Sequence, residues 1–165
     1  MRNNTRIRPI SEPWCTLSLG QAPDSCAYYR CLKRKGIRID SSALEFFTGI
    51  NVEHAGASVS LVVATASELG LQNDARYSDI CQRGVDRGFE LCPAEVGLAL
   101  RLQYLQQPFG EWLCIAMAGI ESARGQAKLF ELGHDPQGLW LGVRNADPDE
   151  YWNKGQRFVF VGGRR

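Results

Sequence analysis

Hydrophobic and polar positions divide the chain into short elements. In residues 14–19, Trp-Cys-Thr-Leu-Ser-Leu, they mix as in a half-buried strand. Residues 20–24 then turn the chain into a helix predicted over 25–35, with Ala27, Tyr28, Cys31 and Leu32 on one face and Gly36 placed to end it. Ile37-Arg-Ile39 is a short extended link. Asp40 or Ser41 can cap a second helix carrying Leu44 and Phe47, and residues 51–58 form a loop. The valine-rich run 59–64 predicts a buried strand. Asn73 or Asp74 can start a helix over 75–87, whose apolar face is Tyr77, Ile80, Cys81 and Val85, with Gly88 at its end. After the extended link Phe89-Glu-Leu91, Cys92-Pro-Ala-Glu95 has Pro at a first helical position and predicts a very short helix. The order of turn, helix, glycine and extended link thus occurs twice, from Leu19-Gly20 and from Leu69-Gly70, which suggests a duplicated supersecondary unit.

The last third reads as β-structure. Leu98, Leu100, Leu102 and Tyr104 alternate with Ala99, Arg101 and Gln103, which is strand periodicity. A helix over 93–104 competes, but Gly97 interrupts it. Residues 106–110 turn into a strand over 111–118, and 129–132, 139–143 and 158–161 supply three more. His134-Asp-Pro-Gln-Gly138 carries the residues of a hairpin turn, and 145–155 is a polar loop holding Tyr151 and Trp152. The expected fold class is α+β, with helices mainly in the N-terminal half packed on an antiparallel β-sheet from the C-terminal half. Residues 1–13 are expected to be a flexible basic tail and 14–165 a single domain.

Several blocks carry a resemblance. Leu91-Cys-Pro-Ala-Glu-Val-Gly97, Leu100-Arg-Leu-Gln-Tyr104, Gln107-Pro108, Gly110-Glu-Trp-Leu113 and Ile115-Ala-Met117 continue into Gly138-Leu-Trp-Leu141 and Arg157-Phe-Val-Phe-Val161. Together they resemble the signature of an uncharacterised bacterial protein family, and the likeness covers most of the chain from Trp14 onward. The chain has Leu98 where relatives tend to have proline, and Ser122-Ala-Arg-Gly125 where they tend to have an acidic turn. The resemblance implies no reaction, cofactor or partner, and among the cysteines only Cys92 belongs to it.

Composition narrows the classes. A chain of 165 residues with 44% hydrophobic and 22% charged residues can bury roughly 70% of its unfolded surface without metal or disulfides. The net charge of +1 argues against nucleic acid or an anionic membrane as partner. Arg2, Arg6 and Arg8, with Arg164 and Arg165, form small basic tails of the solvated kind. The first residues lack the apolar stretch of a signal peptide, and the longest apolar run, 113–120, is far below the roughly 20 residues that span a bilayer, so the expectation is a cytoplasmic protein. The six cysteines, Cys15, Cys26, Cys31, Cys81, Cys92 and Cys114, contain no Cys-x-x-Cys pair, and His54 and His134 are the only histidines. No metal is expected, and without a phosphate loop or other cofactor motif no cofactor either.

Candidate chemistry concentrates in the family block. Cys92, just ahead of a helix start, would feel positive backbone dipoles that lower its pKa, with His54 or His134 as the base. The competing reading packs it at a strand-to-helix corner. If 98–104 and 111–118 pair as a hairpin, Arg101 faces a carboxylate on or near the adjacent strand, Glu111 among them, with Glu95 at the mouth of the same unit. Such a group binds a polar ligand or supplies a general base; the competing reading is an ion-pair network. Trp112, Trp140, Tyr104 and Phe109 fit packing or stacking, whereas Trp152 and Tyr151 are expected partly exposed, rimming a pocket. The expected function is a non-catalytic small-ligand or protein-interaction module, binding through Glu95, Arg101, Gln107, Glu111 and Trp152. The alternative is a thiol-dependent or acid/base enzyme for a small polar substrate, with Cys92 or Glu95 central. The partner is an unknown small molecule or protein, and exposed sheet edges are compatible with a homodimer.

Overall fold

The chain builds one large mixed sheet from both of its halves. The computed structural model describes residues 9–53 and 55–163. The first half runs β1 (Cys15–Ser18), α1 (Ser25–Arg34), β2 (Arg38–Ile39), a 3-10 helix (Ser41–Phe46), β3 (Ser58–Thr65), β4 (Ala75–Arg76) and α2 (Tyr77–Asp86). The second runs α3 (Glu95–Gln103), β5 (Trp112–Ile115), β6 (Ile120–Glu121), β7 (Ala127–Asp135), β8 (Gly138–Asn145), β9 (Tyr151–Trp152) and β10 (Arg157–Val161). The order across the main sheet is β1-β3-β10-β5-β7-β8-β2, with β6 beside β7, while β4 and β9 form a separate ribbon.

This overturns the expected α+β division. Strand content exceeds helix, 31% against 23%, so the sheet is the organising element. β1, β2 and β3 enter it from the first half, α3 lies in the second, and the pairs β10–β5 and β2–β8 are parallel. Parallel neighbours need crossovers that leave and rejoin the sheet, which spreads short helices along the chain instead of gathering them at one end.

The helices also cover both faces. Phe130 and Leu132 point to one side of β7, where α3, α1 and the 3-10 helix pack: Phe47 meets Phe130 edge-on at 6.2 Å, and α3 reaches Phe130 through Gly97. Phe158 and Phe160 point to the other, where α2 and the β4–β9 ribbon pack. There Trp152 meets Phe158 at 5.2 Å, and Gly84 lies against Phe160. Phe158, Val159 and Phe160 are therefore all buried, as a strand between two helical layers must be.

Local signals explain several elements. Asp24 caps α1 by accepting from the Ala27 N–H at 2.7 Å, and Asp40 caps the 3-10 helix through Ser42. The β7–β8 hairpin closes over Pro136 and Gln137, with Asp135 accepting from the Gln137 N–H and Gly138 at a φ of 112°. α2 starts later than expected, after β4, and the Tyr77 and Ser78 N–H groups donate to the carbonyls of Glu150 and Pro148. Asp74 instead accepts from the Lys154 N–H.

The stretch 98–103 is helix, not strand, and Tyr104 caps its end. Every residue of α3 from Glu95 to Leu102 is buried, so no polar stripe marks a helical period. Gly97 reads as a break in the sequence but serves as a close contact: a Cβ there would lie 2.7 Å from Phe130 Cδ2. Gln103, at the end of α3, guards the sheet edge. Its amide accepts from the Ser18 N–H at 3.2 Å and donates to the Ser18 carbonyl at 2.7 Å, the two bonds a neighbouring strand would make.

Ile10 packs against the core, so the chain meets the fold before Trp14. The arginines at 2, 6, 8, 164 and 165 lie outside the described residues, as does His54. Among the described residues no helix is long and apolar enough to cross a membrane.

Candidate functional site

Arg101, expected on a hairpin strand, and Glu95, expected at the mouth of the same unit, are both fully buried on α3. Glu95 accepts from the Gly20 N–H, the Tyr28 hydroxyl and the Glu53 N–H, each at 2.7 Å. Three segments distant in sequence are thereby fastened to the first turn of α3. Gly20 contributes with a φ of 66°, which lets its N–H reach inward.

Arg101 does not face a carboxylate across a strand pair, because its segment is helical. Its guanidinium donates to Gln107 Oε1 at 2.5 Å and to the carbonyls of Gly133 and Trp140, both at 3.3 Å, and of Tyr104. Burial lowers its pKa to about 10, with Tyr104 and Glu111 opposing, so it remains a cation at neutral pH. Gln107, 2% exposed, passes the connection on by donating to the carbonyls of Glu111 and Leu132. Glu95, Arg101 and Gln107 therefore have their polar atoms engaged by protein, apart from the buried and unpartnered Arg101 Nε.

Cys92 lies behind the same wall. It is 4% exposed, its thiol donates to the Val159 carbonyl at 3.3 Å, and burial raises its pKa far above the usual thiol range. The helix begins at Glu95, too late to lower that pKa. His134 is committed elsewhere, with Nδ1 donating to the Gln107 carbonyl at 2.7 Å. Trp152, expected at a pocket rim, is 3% exposed in β9, stacked under the Arg144 guanidinium at 4.8 Å, with its Nε1 buried and unpartnered. The exposed member of that pair is Tyr151.

Glu111 is the one expected ligand residue that reaches an open cleft. It starts where the turn 107–111 meets β5, and Gly110 makes that turn with a φ of 82°. Its Oε1 pairs with Arg157 Nη1 at 2.5 Å, and its Oε2 accepts from the Tyr104 hydroxyl at 2.9 Å. Burial, then that hydrogen bond, pushes the Tyr104 pKa up to about 12, so Tyr104 stays a donor. The Glu111 side chain is 11% exposed and that of Arg157 43%, so the cation is the accessible half of the pair.

A cleft of about 610 Å³ opens over this pair, between the turn 107–111 and the turn 153–156. Phe109, 68% exposed, forms one wall beside the His134 ring at 5.7 Å. Trp112 lies across Gly133 of the neighbouring strand, where a Cβ would come within 2.2 Å of its ring. Asn153 and Gln156 also line the cleft. The Asn153 oxygen accepts from the Gly155 N–H at 2.8 Å, which holds the turn in shape. A second hollow of about 220 Å³ lies beyond Arg157, against Trp14, Val63 and Thr65.

Sequence reasoning placed the binding surface at the 92–97 corner and the 106–112 turn; the corner is largely buried, the turn borders this cleft, and Asn153, Gln156 and Arg157 were missed. The available signal was Arg157, a lone cation opening an otherwise apolar strand in a quoted block. Fold and cleft define a mixed α/β protein with a rigidly braced aromatic and polar cleft at one end of its central strands. No protein-family model, curated protein or solved structure matches the chain.

Proposed function

We propose that the chain is a non-catalytic small-ligand-binding module, with the cleft between residues 107–112 and 153–157 as its site. The observation that carries this reading is the Glu111–Arg157 pair. It is held from behind by Tyr104 and Gln107 and presents an exposed guanidinium beside Phe109 and Trp112. Mixed apolar walls, a few placed polar groups and a volume of about 610 Å³ suit a small molecule. The bracing through Gln107 to the buried Arg101 supports a preformed site. A reducing compartment such as the cytoplasm suits the exposed Cys26 thiol. The test is native mass spectrometry of protein purified gently from cells. A bound small mass that is absent from the Phe109→Ala/Gln156→Ala double variant supports the module. A bare chain that also shows no thermal shift across a metabolite library contradicts it.

A further inference from the structure

We infer that the ligand of this cleft is a neutral saccharide, an inference that rests on the cleft reading above. Charge is the first ground. Among the described residues, Glu111 and Arg157 are the ionisable groups lining the cleft, and they pair with each other at 2.5 Å. The cleft carries no net charge to attract a phosphate or carboxylate, and an anion on the free edge of the guanidinium would lie near the Glu111 carboxylate, so the site favours an uncharged molecule.

Hydrogen-bonding capacity is the second. Among the described residues the Asn153 amide nitrogen, the Gln156 amide oxygen and the Nε and Nη2 of Arg157 have no protein partner, so the cleft offers both donors and acceptors. A hydroxyl is itself both donor and acceptor and can satisfy either kind. Adjacent amides and a guanidinium held by a carboxylate match neighbouring hydroxyls on a ring.

Shape is the third. The lining divides into aromatic rings, Phe109 and Trp112, and polar groups, Asn153, Gln156 and Arg157. Trp112 is fixed by its fit over Gly133 and by an edge contact with Trp140 at 5.5 Å, so it costs little ordering entropy on binding. A pyranose has the same division: an apolar face of C–H groups to lay on an aromatic ring, and a rim of hydroxyls. A lipid would leave the amides unsatisfied, and a flexible polar chain would leave the rings uncovered.

The test follows the indole N–H of Trp112 by NMR, assigned by its loss in Trp112→Phe. The probes are glucose, galactose, mannose, N-acetylglucosamine, cellobiose and maltose, with glucose 6-phosphate and adenosine as comparisons. At least one neutral saccharide is expected to shift the Trp112 signal saturably, with the phosphorylated sugar binding no more tightly than its parent. Phe109→Ala, at an exposed position that leaves the fold intact, should weaken that binding on the order of tenfold. If no saccharide moves Trp112, or the phosphorylated sugar binds better, the saccharide inference is overturned. Adenosine shifting Trp112 when the sugars do not would overturn the ligand class and leave the cleft standing. Silence from every probe counts against both.

Discussion

Residues 95–107 and 108–112 are adjacent in sequence and both carry polar side chains, yet those side chains have opposite fates. In the first stretch Glu95, Arg101 and Gln107 are sealed, and their hydrogen bonds are spent on the protein's own carbonyls, amides and Tyr28. In the second, Phe109 stands 68% exposed and Glu111 presents Arg157 to an open cleft. Density of polar residues in a sequence reports that something must be satisfied. Only the partners reveal whether the fold or a ligand does it.

The largest expected effect comes from opening the sealed half. Arg101→Ala should cost about 3–5 kcal/mol in urea unfolding, because it leaves a cavity and orphans Gln107 Oε1 and three carbonyls. A loss under about 1 kcal/mol would mean that these bonds are not what holds α3 to the sheet.

Next comes Gly97→Ala, which adds a methyl 2.7 Å from Phe130 Cδ2. The helix must shift or Phe130 must rotate, at about 1–3 kcal/mol, despite alanine's better helix propensity. A stabilised variant would contradict the close contact.

Glu131 sharpens the comparison because it is buried with a less complete set of partners. It is 4% exposed and paired with the half-exposed Arg144 at 3.1 Å. Burial raises its pKa above the ordinary 4.5, with Arg144 opposing. A raised carboxyl binds its proton more tightly folded than unfolded. Its contribution is full below the unfolded value and is lost as pH rises through the folded one. Wild-type urea midpoints should therefore fall relative to Glu131→Gln as pH rises from about 4 towards neutral. A pH-independent difference between the two would contradict the raised value.

The smallest effect belongs to the open half. Phe109→Ala should change unfolding stability by less than about 0.5 kcal/mol while still abolishing or weakening binding. A large stability loss would place Phe109 with the structural residues.

Much of the fold was legible wherever a period or a cap was local. α1 shows its apolar face, the 3-10 helix its Asp40 cap, β3 its valines, and the β7–β8 hairpin its Asp135 and Gly138. α3 was visible only as the competing helix over 93–104, because a helix buried on all sides has no amphipathic period and its one glycine marks a contact with Phe130. Sheet order was not legible either, since Arg38 beside Trp140 and Arg157 beside Leu113 are parallel pairings between distant segments. The cleft was half visible for the same reason. Phe109 and Glu111 sit in one turn, while Arg157 reaches Glu111 across 46 residues.

The most direct test of this division uses the indole N–H signals of the four tryptophans during titration with a library of small neutral molecules. Trp112 lines the cleft, and Trp152 is sealed beneath Arg144. The division predicts binders that shift Trp112 and leave Trp152 unmoved. Binders that shift Trp152 while Trp112 stays still would contradict it.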